Sequence, residues 1–325
     1  MSRLMTQRVV VRAGIGVAVA GVAIAAGTSA TAGARVHRSI RAEATPAVAS
    51  GYRLSDDYAA VSPAAKTFVV GLSGKKTTGL PKVMTPGYHT FVVKQLAKGV
   101  RDLNVVRFLD PTYNRKKADR DFGLIFGPKF DPKAYHRLVT RLALEDAMST
   151  QSGPAIASQI TLKLKPSSTY YFDNADDNGG PGDIVTKVTT TGPDTATGSA
   201  PRFTATIKQQ EYGFGIAGTF HGGTQTVRLS NVGAQLHELG MAQILDPTKT
   251  EQDAVDALVN GDPNSPPPSW LSFAAFGGLH TPKDTEYVKL RLQSGGRYVL
   301  FCFMPAASNG APHIMLGMHR LITVL

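Results

Sequence analysis

The sequence predicts an all-β chain: two tandem β-sandwich domains with short helical insertions. Three observations lead there. Short apolar, β-branched runs are separated by turn residues, as in FVVGL (68–72), YHTFVV (88–93) and LNVVRFLDPT (103–112). Gly and Pro are frequent, 33 and 20 of 325 residues, which favours many turns and short strands over long helices. The second half of the chain also repeats the first. AKGVRDLNVVRFLDPT (97–112) lines up with GAQLHELGMAQILDPT (233–248), and ITLKLKPSSTYYFDN (160–174) with VKLRLQSGGRYVLFC (288–302). In that alignment His237 faces Arg101 and Cys302 faces Asn174, so the first repeat is a degenerate copy without metal ligands.

Residues 1–34 form an expected signal peptide. Arg3, Arg8 and Arg12 precede an apolar run, Ala13 to Ala26, that is too short to span a membrane, and small residues follow with cleavage expected after Ala32 or Ala34. The mature chain is therefore expected to be secreted or extracytoplasmic, with no transmembrane helix after cleavage. Residues 35–61 are polar, Ala-rich and aperiodic, and are expected to be a flexible lead.

The first repeat is placed at 62–192. Its early strands are followed by a helix expected over 132–147, where Tyr135, Leu138, Val139, Leu142 and Leu144 make a helical stripe behind an Asp131-Pro132 start. Ile160 to Leu164 alternates, TYYF (169–172) follows, and NADDNGGPGD (174–183) is a turn-dense loop. Residues 193–201 read as a linker. The second repeat, 202–325, opens with two strands in FTATIKQQEYGFGIAG (203–218) and a third in TQTVRLSNVG (224–233). A short helix over 251–259 and a Pro-rich loop (264–270) come next. YVKLRL (287–292) alternates, SGGRYVLFCF (294–303) is a turn into a buried strand, and Leu321 to Leu325 is the closing strand.

Net charge is +11, unevenly placed: residues 62–150 carry 16 Lys and Arg against 7 Asp and Glu, whereas 202–325 carry 9 of each. The basic first repeat is either a solvated face or a docking surface for an anionic envelope component. Export and the lack of an aromatic-interleaved basic motif argue against nucleic acid.

Cys302 is the one cysteine, so no disulfide can form within the chain. It is an inert core thiol, a link to another chain or a metal ligand. His313 and Met318 follow on the loop between two strands, and His237 lies upstream in RLSNVGAQLHEL. Thiolate, two imidazoles and a thioether are the donors of a blue-copper site, where a long axial Met tunes the potential. Singly, each residue reads as readily as core or loop.

SNVGAQLHEL resembles the Asn-x-Gly-then-His-Glu segment of cupredoxins, and GGRYVLFCFMPAASNGAPHIMLGMHRLITV resembles their closing Gly-x-Tyr…Cys…His…Met segment. The resemblance covers 202–325 well and 62–192 as a degenerate copy. It implies Greek-key β-sandwiches, one type 1 copper held by His237, Cys302, His313 and Met318, and electron transfer with a redox partner protein. The Cys-to-His loop is longer than in the small carriers and nearer that of copper nitrite reductases. An enzyme is not expected: no His-x-His pair occurs, Cys302 is flanked by Phe301 and Phe303 rather than a histidine, and no zinc-spaced cluster or nucleophile elbow is present. His221 and His280, beside glycines, are expected in exposed turns. Phe303, Met304, Pro305, Ile314 and Met315 are expected to wrap the metal and leave a flat docking face beside His313. Two other readings stay open: Cu(I) buffering or delivery by Cys302, Met304, Met315 and Met318, and a metal-free envelope-binding module.

Overall fold

The computed structural model describes residues 65–96, 101–149, 156–176, 184–193, 198–261 and 267–325; the expected signal peptide and flexible lead lie outside them, as does most of the loop at 174–183. In the first half the strands are β1 (Lys66–Leu72), β2 (Thr77–Thr78), β3 (Val83–Met84), β4 (Gly87–Gln95), β5 (Arg101–Phe108), β6 (Leu142–Ser149), β7 (Ile156–Leu164), β8 (Thr169–Asp176) and β9 (Ile184–Thr190). Helices α1 (Arg115–Ile125) and α2 (Pro132–Arg141) lie between β5 and β6. The second half holds β10 (Ala205–Gln210), β11 (Gly213–Gly218), β12 (Gly223–Asn231), β13 (His237–Ile244), α3 (Glu251–Asn260), β14 (Leu271–His280), β15 (Thr285–Leu292), β16 (Arg297–Phe301) and β17 (His319–Thr323).

One long sheet, ordered β11-β10-β12-β15-β7-β4-β1-β2, runs through both halves. From its β15–β7 seam outward both sides are built alike. The seam strand pairs antiparallel with β12 or β4, which pairs parallel with β10 or β1, which pairs antiparallel with β11 or β2. Two smaller sheets complete the sandwiches, β14-β13-β16-β17 in the second half and β6-β5-β8-β9-β3 in the first. Aliphatic and aromatic side chains fill the space between layers: Phe91 of β4 meets Phe172 of β8 with ring centroids 5.2 Å apart, among buried Val70, Leu103, Val105 and Ile160. The second half does the same with Val227, Leu229, Met241 and Leu300.

Similar hydrogen bonds occur at matching sequence positions of the two halves. Behind each LDPT, the aspartate accepts from the threonine backbone, Asp110 from Thr112 at 2.7 Å and Asp246 from Thr248 at 2.8 Å. Each turn leads into a helix with a side-chain cap, Asn114 before α1 and Thr250 before α3. At the second matching segment, the Lys165 N–H donates to the Tyr170 hydroxyl at 2.7 Å and the Gln293 N–H to the Tyr298 hydroxyl at 3.0 Å.

Three expectations need correcting. The helix predicted over 132–147 ends at Arg141: Leu142 is extended (φ −129°, ψ 141°), and its neighbours pair with β5 from Leu142↔Phe108 onward. The apolar positions at 142 and 144 belong to a strand buried on both faces, which a helical stripe mimics. Helix α1 was not expected. Its buried positions are Ala118, Asp121, Phe122 and Ile125, and the aspartate breaks the apolar stripe. His280, expected in an exposed turn, is buried at the end of β14, 3.1 Å from the buried Glu286 carboxylate. His221 is exposed as expected.

Candidate metal centre

The expected ligands sit at strand ends of the smaller second-half sheet or on the connection between two of its strands. His237 opens β13, Cys302 follows β16, His313 begins a 3-10 turn (His313–Leu316), and Met318 precedes β17. Since β13 pairs with β16 and β16 with β17, these ends share one corner. Close approach there depends on Gly240, opposite Phe301, where a Cβ would fall 2.2 Å from the Phe301 ring.

The segment after Cys302 is pinned by backbone bonds. The Ile314 N–H donates to the Cys302 carbonyl at 2.7 Å, the His313 N–H to Met304 at 2.9 Å, and the Met318 N–H to His313 at 2.9 Å. Before His237, the Asn231 side chain takes the Gly233 N–H at 2.9 Å and donates to the Gln235 carbonyl at 2.7 Å and the His280 carbonyl at 2.9 Å. The Asn-x-Gly spacing thus shapes the turn that aims His237.

His237, Cys302 and His313 are completely buried, and their donor atoms lie within 4.8 Å of one another. The two Nδ1 atoms are 3.2 Å apart, and His313 Nδ1 is 3.5 Å from Cys302 Sγ. Among the described residues this is the group of three or more His, Cys, Asp or Glu whose donor atoms converge. Met318 is buried too, and its backbone N–H donates to the His313 carbonyl.

Electrostatics prepare neutral lone pairs. Burial holds His237 and His313 down at about 3, with His280 adding to the effect on His237 and His237 on His313, so both rings are neutral at pH 7. Burial, and the Glu238 charge beside it, push the Cys302 thiol well above its ordinary value. The Glu238 N–H points at Cys302 Sγ from 3.5 Å, and its carboxylate, raised to about 7 by burial, accepts the Phe303 N–H at 2.7 Å.

The donor set fits copper. Donors about 2.0 to 2.3 Å from one ion stand about 3 to 4 Å from each other, as the two Nδ1 atoms do at 3.2 Å and His313 Nδ1 and Cys302 Sγ do at 3.5 Å. The Nε2 atoms of both rings are buried without a hydrogen-bond partner, and that of His237 is 3.8 Å from the Glu211 carboxylate.

The β10–β11 turn caps the corner. Tyr212 meets His313 edge-on at 5.3 Å between ring centroids and sits at φ +58°, a conformation rarely adopted by a bulky residue. Glu211 accepts the Gln235 N–H at 3.0 Å. The flat face expected beside His313 is therefore not presented by that ring: an approaching molecule meets Tyr212, Met315 (54 % exposed) and Leu316 (37 % exposed) instead. Of the residues expected to wrap the metal, Met304, Pro305 and Ile314 are buried and Phe303 partly so, whereas Met315 turns outward. Sequence reasoning missed Tyr212 and Glu211, whose only local signal is a polar pair ahead of glycine in a hairpin.

No family model matches the chain, and no curated protein matches it. Among solved structures, a reduced auracyanin from Roseiflexus castenholzii is similar at 22% identity over 37% of this chain and 94% of its own, with a TM-score of 0.26. Auracyanin A, a "blue" copper protein of Chloroflexus aurantiacus, is similar at 19% identity over 37% and 99%, TM-score 0.24. A copper nitrite reductase from Nitrosomonas europaea is similar at 10% identity over 80% and 94%, TM-score 0.22. Likenesses of this degree carry no further weight; the strand order gives tandem β-sandwiches, and the second holds a buried His-Cys-His group able to take a metal ion.

Proposed function

We propose that the chain is an exported copper protein that passes single electrons through one type 1 copper held by His237, Cys302, His313 and Met318. The observation that carries this reading is the approach of His313 Nδ1 to His237 Nδ1 at 3.2 Å and to Cys302 Sγ at 3.5 Å in a buried corner where all three residues' donor atoms lie within 4.8 Å. Bound copper supplies a one-electron couple, and a thiolate with two imidazoles and a weak thioether suits both of its oxidation states.

The chain's residues do the rest. The imidazoles offer lone pairs without first losing protons, whereas Cys302 must release its proton on binding, so uptake is favoured by rising pH. Pinned strand ends keep the donors in place, which lowers the rearrangement between oxidation states. Buried Met304 and Ile314 keep water away. A redox partner would dock where Tyr212, Met315 and Leu316 come to the surface. The leader at 1–34 supports export, and the repeated strand order supports an internal duplication whose second copy keeps the ligands. The basic first repeat remains the candidate surface for an anionic envelope component.

The test is to produce the chain through an export pathway, reduce Cys302, load Cu(II) and record the visible spectrum and a voltammogram. An intense thiolate-to-copper band with reversible one-electron cycling is expected. A fully loaded, colourless protein would overturn the blue-copper reading. A blue protein whose couple is irreversible would overturn electron transfer while keeping the site.

A further inference from the structure

We infer that Tyr135, on α2 of the first repeat, is a positioning residue for the metal centre of the second, so that the repeat without ligands completes the site. The inference rests on the copper reading above.

The turn leading to His237 presents four successive N–H groups, each matched to a side-chain acceptor. Gly233 takes Asn231, and Ala234 and Gln235 take Glu211. The last, Leu236, donates to the Tyr135 hydroxyl oxygen at 2.8 Å, with both residues buried. This acceptor alone comes from the other repeat, and it holds the residue next to His237. Without it a buried N–H would lack an acceptor, and the turn would shift to find one.

The same segment of the first repeat reaches the second ligand-bearing loop. Gly310, three residues before His313, has φ +74°, and a Cβ there would lie 2.7 Å from Phe130 Cβ. Phe130 in turn packs on Tyr135, centroids 6.0 Å apart. One short stretch, 130–135, therefore touches the loops that aim both imidazoles. It is itself firmly held: Asp131 caps α2 at the Lys133 N–H (2.8 Å), and Arg137, one turn on, is paired to the buried Asp121 of α1 at 2.7 Å.

Tyr135→Phe in the full chain removes the one oxygen and keeps the ring. Tyr170→Phe is the control, since it removes another buried tyrosine acceptor in the same repeat, that of the Lys165 N–H, but touches neither ligand loop. Both variants are loaded with Cu(II). Tyr135→Phe is expected to shift the reduction potential and the visible band and to speed copper loss to a chelator about tenfold, as changes to groups behind metal ligands do. Tyr170→Phe is expected to lower the melting temperature while leaving these unchanged. In the metal-free chain, exchange of the Leu236 amide proton should accelerate in Tyr135→Phe only. Equal potentials, bands and off-rates for wild type and Tyr135→Phe would overturn the inference, as would unchanged Leu236 exchange. If the wild type takes up no copper, the functional reading fails, and the amide exchange still decides whether Tyr135 holds the turn.

Discussion

Asn174 stands in the first repeat where Cys302 stands in the second. Instead of facing histidines, its side-chain amide donates to the Ser73 carbonyl at 3.0 Å and the Lys76 carbonyl at 3.3 Å. Those carbonyls belong to the β1–β2 turn, the counterpart of the β10–β11 turn that covers the metal corner. The same corner is thus closed in one repeat by an amide and in the other by a ligand set. Asn174→Ala is expected to lower stability by about 1 to 2 kcal/mol by removing the two hydrogen bonds through which this buried amide ties β8 to the β1–β2 turn. Urea unfolding measures that loss, and the copper spectrum should not change.

Asp121 ties α1 to α2. Burial pushes its carboxyl up, but hydrogen bonds from Arg137, Tyr113 and Arg120, with the Arg137 charge, bring it below the ordinary carboxylate value. A depressed folded-state value contributes stability that is present above about pH 4 and lost as pH falls through the folded value. Asp121→Asn should cost about 2 to 4 kcal/mol at pH 7, less than a fully buried pair because both arginines reach solvent. The gap between variant and wild type in chemical unfolding should narrow on acidification to pH 3 and below.

Asp284 behaves in the opposite sense. Burial, then the nearby Glu145 charge, raise its carboxyl to about 7. For an acid whose folded-state value is raised, the stabilising contribution is present below the unfolded value of about 4 and lost as pH rises through about 7. Asp284→Asn keeps an acceptor for the Thr281 N–H and cannot ionise. Its stability gain over wild type should widen by about 2 kcal/mol between pH 5 and pH 8, read from melting temperatures across that range.

The corner that gathers His237, Cys302 and His313 was legible in the sequence because its parts come in a distinctive order: Asn231 and Gly233 before β13, His237 at its start, and Tyr298, Cys302, His313 and Met318 on β16 and along its connection to β17. What surrounds it was not. Tyr135 and Tyr212 reach the site through folding of distant segments, and no local pattern marks either as part of it. Buried charge hid other features. Asp121 interrupts the stripe of α1 because its partner Arg137 lies on another helix, and His280, where neighbouring glycines suggested a turn, ends a strand beside the buried Glu286. The boundary between α2 and β6 was missed because Leu142 and Leu144 satisfy helical and strand spacing alike, and pairing with β5 decides between them.

The ligand set itself is tested most directly by X-ray absorption at the copper edge of the loaded, thiol-reduced chain, beside Cys302→Ser. The wild type is expected to show two nitrogen donors at about 2.0 Å and one sulfur at about 2.1 to 2.3 Å. The sulfur shell should vanish in Cys302→Ser. A first shell of nitrogen and oxygen alone in the wild type would contradict the assignment of Cys302, and with it the copper centre of the second repeat.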